Sequence, residues 1–155
     1  MDIAAAATAI NGTGQPEMRE LRLVQPHELG RYWELIKPGL VSVHEKASDG
    51  WLIEDVYMAL KQGVSVLYIG FVSQYYVGFV VATPAIGWTG PQLHLWALYN
   101  RGERDLLETF LPDLLEIARA RGAVRITMQS PRRGWERRGA ALGMHYINSQ
   151  FAMEV

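Results

Sequence analysis

The chain has 155 residues, no cysteine and a formal net charge of −1, and 49% of its residues are hydrophobic. That length is enough for one domain with a packed core, and the lack of cysteine excludes disulfides, thiolate nucleophiles and cysteine-ligated zinc. No apolar run approaches the roughly 20 residues of a membrane-spanning helix. The near-neutral charge argues against a non-specific nucleic-acid binder.

Residues 1–17 are rich in alanine, glycine and threonine and have too little apolar bulk for a core. We therefore predict a flexible N-terminal arm, residues 1–17, and one folded domain, residues 18–155. The arm is interpreted either as a loose tail or as a segment that orders on a partner. No signal peptide is predicted, because no basic region follows Met1.

The domain begins with a predicted strand followed by a helix. Alternating apolar residues predict the strand over residues 18–25. Pro26 is well placed for the start of a helix, and Lys37-Pro38-Gly39 should end that helix. A separate short helical piece is expected over residues 40–46.

The next helix is predicted over residues 51–60, where apolar residues repeat at helical spacing. Ser48 or Asp49 is the expected N-cap, and Gly63 should stop the helix. His44, which precedes this helix, is interpreted as a surface or interface histidine.

After residue 63, the pattern of apolar residues changes to one typical of strands, and two strands joined by a turn are predicted. Residues 64–72 and 75–83 are rich in β-forming side chains, with Ser73-Gln74 as the turn between them. Residues 84–91 contain two glycines and two prolines and are predicted to form a loop. Trp88 in that loop is interpreted as a cover over the sheet edge, with ligand contact as the alternative.

A predicted strand over residues 93–99 meets a polar, glycine-containing break at residues 100–102. The longest helix follows at 103–121, with Pro112 expected to kink it or to delay its regular part. The next strand is predicted over residues 124–128. Strand, loop, helix and strand in this order form a unit whose first loop often binds phosphate.

The last part of the chain predicts a short helix and a strand. The helix covers residues 135–142 and ends at Gly143, and alternating side chains predict a closing strand over residues 144–155. The complete order is β-α-α-β-β-β-α-β-α-β.

This order resembles the GNAT acyltransferase fold, and the closer resemblance is to GNAT-like proteins encoded by tailed bacteriophages. The stretches that carry it are residues 53–60, 104–112, 118–122 and 133–137. The resemblance implies an α/β (α+β) fold with a mixed, mainly antiparallel sheet of about six to seven strands, flanked by about four helices.

The resemblance also implies where coenzyme A would bind. In active members, the loop after the central strand reads Arg/Gln-x-x-Gly-x-Gly/Ala, and its backbone N–H groups hold the pyrophosphate. Arg101 takes the first position here, but Arg104 and Leu106 replace the two small residues. Their bulk is expected to close the notch, although Leu106 is also interpreted as a core residue. The candidate cofactor-binding residues are Arg101, Gly102, Glu103, Arg104 and Asp105.

The candidate catalytic residues are His94, as a general base on the central strand, and Tyr99, as a hydrogen-bond donor near a thioester. The alternative for each is an ordinary packing role in the strand. The tyrosine that often protonates the leaving thiolate is replaced by Gly139. His27 and His145 have no partner at metal-ligand spacing, so no metal site is predicted.

Four arginines lie within seven residues: Arg132, Arg133, Arg137 and Arg138. They are interpreted as a site for phosphate, nucleic acid or an acidic protein surface, or as the solvated end of a helix. Trp135 among them is expected to anchor that helix to the sheet.

Two functions remain open. The favoured hypothesis is a GNAT-fold phage protein with a degenerate acyltransferase site and no cofactor, acting as a structural or accessory virion component in the virion or the host cytoplasm. Its expected partners are other virion proteins, or a second copy through the N-terminal arm; nucleic acid is not favoured and no membrane is involved. The alternative is an active N-acetyltransferase that uses acetyl-CoA or CoA and acts on an unknown amine. A nucleic-acid-associated factor would rest on the arginine cluster alone.

Overall fold

The computed structural model describes residues 8–10, 16–148 and 150–155, so most of the predicted arm, residues 1–17, lies outside the described residues. The strands are β1 Thr8–Ile10, β2 Pro16–Val24, β3 Val66–Val72, β4 Tyr75–Gly87, β5 Gly90–Asn100 and β6 Arg125–Met128. The helices are α1 Leu29–Ala47, α2 Ile53–Lys61, α3 Leu106–Ala120 and α4 Trp135–Ala141, and a single 3-10 turn, Pro26–Glu28, precedes α1.

The strands form one sheet in the order β1-β2-β3-β4-β5-β6. All neighbours are antiparallel except β5 and β6, which are parallel. Strands β2 to β6 make the main five-stranded sheet, and β1 adds three residues beside β2. The predicted α+β class with a mixed, mainly antiparallel sheet is therefore confirmed, and the main sheet has slightly fewer strands than the six to seven expected.

The closing strand predicted for residues 144–155 is wrong. The described residues of that range form no strand, and Phe151, Met153 and Val155 are at least nine-tenths exposed. Alternation of side chains predicts which faces a strand would present, but a strand also needs a neighbour for its backbone groups.

Each face of the sheet has its own hydrophobic core. Leu93 and Leu95 of β5 point to the face covered by α3, where Phe110 and Leu114 are fully buried. Ala97 of the same strand belongs to the opposite core, beneath α1 and α2. The central strand β5 is thus buried on both sides, as expected for the middle of a two-faced sheet.

Helix α1 corrects the prediction that Lys37-Pro38-Gly39 ends a helix before a separate piece at residues 40–46. The helix runs through Pro38 without interruption. Proline removes one backbone hydrogen bond inside a helix, but Ile36 and Leu40 on either side are both fully buried. Packing of this apolar face against the sheet therefore overrides the local helix-breaking signal.

Gly39 allows α1 to approach β5 closely. A Cβ added at this position would overlap the ring of Tyr99, lying 2.6 Å from its Cε1. Gly30, on the same helix, has nothing within 4 Å of the corresponding position. The two glycines of one helix therefore have different roles, and only Gly39 is fixed by packing.

Helix α2 begins later than predicted, so neither Ser48 nor Asp49 is its N-cap. Ser48 instead follows the last residue of α1, and the carboxylate of Asp55 accepts a hydrogen bond from the backbone N–H of Leu52 at 2.7 Å. Gly63 follows the helix with a φ of 74°, as its predicted role as a stop requires.

The hairpin of β3 and β4 is confirmed. Ser73 and Gln74 have φ values of 48° and 71°, the two positive values of the turn that suits a two-residue hairpin. The predicted loop at residues 84–91 is wrong, because β4 and β5 extend as a second hairpin to a tip at residues 88–89. Trp88 is completely exposed at that tip, so it does not cover the sheet edge.

The remaining elements follow the predictions closely. Helix α3 begins at Leu106, three residues later than expected, and contains Pro112 within it. Strand β6 and helix α4 are confirmed, and Gly143 after α4 has a φ of 83°. No helix in the part of the chain that the structure describes is long and apolar enough to cross a membrane.

Substituting Gly39 by Ala should lower the free energy of unfolding by about 1–3 kcal/mol, because the new methyl group overpacks the contact with Tyr99. Urea denaturation measures the change.

The matched control is Gly30→Ala in the same helix, which should raise stability by about 0.5–1 kcal/mol because alanine favours helix where space is free. Equal effects at the two positions would contradict the assigned contact.

Candidate functional site

The pairing of the parallel strands β5 and β6 ends before the carboxyl end of β5. Strand β6 pairs only with residues 92–95 of β5, whereas β5 continues to Asn100 beside β4 alone. Residues 96–100 of β5 therefore have no strand partner on that side, which leaves an opening in the sheet. The loops that follow two parallel strands meet at this edge, where ligands of such sheets bind.

A bulge interrupts β5 beside this opening. Val81 of β4 pairs with Ala97 and Ala82 pairs with Leu95, so Trp96 has no partner on β4. As a result, Trp96 and Ala97 both pack on the α1 and α2 face. Bulges often redirect side chains near functional sites.

Side chains of the chain itself occupy the N-terminus of α3. The backbone N–H of Leu106 donates to Oδ1 of Asn100 at 3.0 Å. The N–H groups of Leu107 and Glu108 donate to Oδ1 of Asp105 at 3.0 and 3.3 Å. These are the donors that a helix N-terminus would otherwise offer to an anion.

The loop arginine Arg104 also has an internal partner. Its guanidinium lies 2.5 Å from Oε1 of Glu17, at the start of β2. Glu17 is 9% exposed and also contacts Arg19 at 3.4 Å. The side chain of Glu17 is largely buried, whereas that of Arg104 is 36% exposed, so solvent still screens part of this attraction.

A second ion pair crosses the mouth of the opening. Arg138 of α4 forms a salt bridge with the carboxylate of Asp105, and its guanidinium stacks over Trp135 with 4.7 Å to the ring centroid. Asp105 therefore joins the loop after β5 to the helix after β6.

The sequence-derived cofactor residues lie together in the loop after β5, at the opening. Arg101 is exposed and stacks over Tyr76 at 5.4 Å, and Gly102 has a φ of 86°. Glu103 is exposed, whereas Arg104 and Asp105 are engaged in the ion pairs.

Leu106 corrects part of the steric expectation. Its side chain is fully buried in the core beneath α3, close to Gly70 of β3. Its interpretation as a core residue is confirmed, and its bulk does not close the notch. Hydrogen-bonding and charged groups fill the N-terminus of α3 instead.

His94 lies on β5, half-buried, with Nδ1 at 2.9 Å from Oγ1 of Thr127 on β6. Burial lowers the pKa of His94 below its ordinary value, so the imidazole is neutral at neutral pH. Thr83 lies opposite His94 on β4, and its hydroxyl is 2.7 Å from that of Ser65. A band of polar side chains thus crosses the sheet.

Sequence reasoning missed Thr127 as the partner of His94. The alternation of β6 places Thr127 on the face opposite to Ile126 and Met128, but the parallel register with β5 was needed to place it beside His94. The catalytic roles of His94 and Tyr99 remain predictions.

Tyr99 packs between two elements. Its ring centroid is 5.6 Å from that of Phe79, and its ring limits the approach of Gly39. The packing alternative given for this residue therefore has a structural basis.

An aromatic cluster lies over the bulge and was not predicted. Trp51, between α1 and α2, makes an edge contact with Trp96 at 5.8 Å and with His44 at 5.1 Å between ring centroids. Among the residues that the structure describes, no group of three or more histidine, aspartate or glutamate side chains is arranged to hold a metal ion.

Comparisons with known proteins place this geometry in a fold. No model of a protein family matches the chain, and no curated protein matches it. Solved structures do match. One is a ribosomal-protein-alanine N-acetyltransferase from Brucella melitensis biovar Abortus 2308, 15% identical, with a TM-score of 0.61 over 88% of this chain and 97% of that one. Another is the aminoglycoside N-acetyltransferase AAC(6')-Iy in complex with CoA, 10% identical, with a TM-score of 0.67 over 91% and 97%.

A third is an aminoglycoside acetyltransferase from an uncultured soil metagenomic sample, 15% identical, with a TM-score of 0.61 over 88% and 98%. At these identities the likeness concerns the fold alone. The chain has the GNAT acetyltransferase fold, as the sequence resemblance implied, and the solved structures named here include no phage protein.

Replacing Asp105 by Ala should lower the free energy of unfolding by about 1–2 kcal/mol, because α3 loses its N-cap. The salt bridge to Arg138 is lost as well. Chemical denaturation measures this effect. Glu108→Ala removes an exposed acid from the same turn without removing a cap, and should cost less than about 0.5–1 kcal/mol.

Lowering the pH should destabilise the protein through His94. The unfolded chain binds a proton near pH 6.5, whereas the folded chain does so only at lower pH, so stability falls as pH decreases below about 6.5. His94→Gln should remove this component. Urea midpoints from pH 7.5 to pH 5 compare the two proteins, and identical pH slopes would contradict the burial argument.

Proposed function

We propose that this GNAT-fold chain is an accessory protein that acts by binding other proteins, with an acyl-CoA site closed by its own side chains. The observation that carries the proposal is the occupation of the α3 N-terminus by Asn100 and Asp105. In an acyl-CoA site of this fold, that position would receive the pyrophosphate. The Glu17–Arg104 ion pair also supports a site closed by the chain's own side chains.

Electrostatics makes entry of a diphosphate unfavourable. The ligand would approach the carboxylate of Asp105, a like charge, at the end of the helix where anions normally bind. It would also have to replace three hydrogen bonds, each contributing about 0.5–1.5 kcal/mol. Two ion pairs, Arg104 with Glu17 and Arg138 with Asp105, would have to separate.

We place this accessory role in the virion of a tailed phage, with other virion proteins as partners. The support is the sequence resemblance in residues 118–122 and 133–137. The structure contributes three exposed arginines at the β6–α4 edge, Arg132, Arg133 and Arg137, which are available for contacts with a partner.

The second candidate is an acetyl-CoA-dependent N-acetyltransferase. It is favoured by the opening beside residues 96–100 of β5 and by His94, whose neutral imidazole is suited to accept a proton from an amine. A solved structure of the same fold contains CoA. This function requires the two ion pairs to open when cofactor binds.

Calorimetric titration and thermal denaturation with CoA and acetyl-CoA separate the two candidates. The unaltered chain should show no saturable binding and no rise in Tm at 1 mM ligand, roughly 100 times a Kd of 10 µM. A binding chain would gain about 2.7 kcal/mol under that condition, and such a gain would overturn the proposal.

A double variant tests whether the carboxylates cause the closure. Glu17→Gln with Asp105→Asn removes both internal negative charges while keeping similar shapes, and should allow measurable binding of ADP or CoA. The control, Glu103→Gln with Glu108→Gln, removes two exposed charges from the same region and should bind neither ligand. Equal behaviour of the two double variants would refute the electrostatic cause.

A further inference from the structure

The hairpin of β4 and β5 extends beyond the strands on either side of it. Strand β3 begins opposite Ala82 of β4, and β6 begins opposite Gln92 of β5. The hairpin tip, residues 84–91, therefore lies past the rest of the sheet. Its larger side chains are apolar and in contact with solvent, since Ile86 is 83% exposed and Trp88 is completely exposed. Large exposed apolar groups close together indicate a contact surface.

The tip can leave water without burying a charge. Residues 62–100 contain no aspartate, glutamate, lysine or arginine. The backbone of the tip is paired across the hairpin, where Ile86 lies opposite Pro91 and Gly87 lies opposite Gly90. Fewer backbone groups therefore lose water without a partner when the tip enters an apolar environment.

Two arginines lie behind the tip. Arg121 and Ile86 line the same groove, which has a volume of about 420 Å³, and Arg125 pairs in register with Gln92. Among the described residues, no ion pair involves either arginine. Residues 117–135 contain no acidic side chain, so this positive charge has no local balance and attracts an anionic surface.

The spacing of these groups fits the interface of a lipid bilayer. Three residues of extended chain separate Thr89 from Gln92, a distance of about 10 Å. Peripheral segments bury their apolar side chains about 5–10 Å into the boundary between headgroups and acyl chains. With Arg125 level with the lipid phosphates, Trp88 reaches that boundary, where tryptophan is favoured. A fluid interface accepts a convex tip, whereas a protein partner must supply a matching cavity.

We propose that the tip of the β4–β5 hairpin binds the surface of an anionic lipid bilayer. Ile86 and Trp88 enter the interface, and Arg121 and Arg125 contact the lipid phosphates. Such contact needs no membrane-spanning helix, and it departs from the expectation that no membrane is involved, which rested on the lack of a spanning run. The inference is independent of the proposed closure of the acyl-CoA site and of the proposed protein partners.

Cosedimentation of the full chain with lipid vesicles tests the proposal. The chain should bind vesicles of equal parts phosphatidylcholine and phosphatidylglycerol, and not vesicles of phosphatidylcholine alone. Binding should fall at least tenfold between about 0.05 and 0.5 M NaCl, because salt screens the attraction of arginine to the anionic surface. Poly-L-glutamate, which has the negative charge without an apolar interior, should bind at least tenfold more weakly than the anionic vesicles.

Trp88 provides the test of insertion. Trp88→Ala should weaken binding to anionic vesicles at least tenfold, whereas Tyr75→Ala should leave it unchanged. Tyr75 is the matched control, because it is 76% exposed at the opposite end of the same strand. Lipids with brominated acyl chains should quench the fluorescence of the unaltered chain more than that of Trp88→Phe.

The arginines provide the test of charge. Arg121→Gln and Arg125→Gln should each weaken vesicle binding about fivefold. The control is the pair Arg133→Gln with Arg137→Gln, which removes two exposed charges beyond the other end of β6 and should leave binding unchanged. Circular dichroism and urea denaturation check that each variant remains folded.

Two results would overturn the proposal. One is a lack of binding to anionic vesicles, or binding that Trp88→Ala and the Arg121 and Arg125 variants leave unchanged. The other is equal binding to poly-L-glutamate and to vesicles, which would assign this surface to an acidic protein partner.

Discussion

One carboxylate, that of Asp105, determines the character of the region around the central strand. It caps α3 through two backbone N–H groups and binds Arg138 of α4. The first contact stabilises the helix that buries Phe110 and Leu114, and the second holds together the two elements that follow the parallel strands. The helix cap and the link between α3 and α4 therefore depend on the same group, so the cap cannot be removed without altering both.

The backbone and the side chains of this region indicate different functions. The parallel pair of β5 and β6, the bulge at Trp96 and the loop before α3 together form the opening characteristic of the fold. Yet Asn100 and Asp105 occupy the helix N–H groups, and Glu17 neutralises Arg104. Because one fold can carry many functions, the function has to be inferred from the residues of the site and not from the fold. In the proposal made above, they favour binding by the surface over acyl transfer within the cleft.

Local chemistry was enough to predict much of the fold from the sequence. The hairpin turn at Ser73-Gln74 and the helix stop at Gly63 follow from turn and cap preferences of single residues. The helix break expected at Pro38 does not occur, because burial of Ile36 and Leu40 outweighs the one lost backbone hydrogen bond. The prediction of a closing strand was wrong, because an alternating pattern does not show whether a neighbouring strand is available for pairing.

The candidate site was less predictable, because its contacts join distant parts of the chain. The sequence located the loop and identified Leu106 as core, but it gave no sign that Glu17 would meet Arg104 across 87 positions. The pair of Arg138 and Asp105 likewise requires the parallel register of β5 and β6. Arg104 and Leu106, in place of the two small residues of the coenzyme A loop pattern, predicted an altered loop. The reason given was the bulk of both side chains, which does not apply to Leu106 because its side chain is buried in the core.

The proposed closure retains the positive groups that an anion site requires. Arg104, Arg138 and the N–H groups of α3 are all present, and each has a negative or polar partner from within the chain. An internal carboxylate has a large advantage over a free ligand, because it is already held in place and loses little translational and rotational freedom when it pairs. An external diphosphate must offset that loss as well as the broken contacts. In the proposed closed site, the carboxylates of Glu17 and Asp105 therefore hold the positive groups that the phosphates of a ligand would otherwise meet.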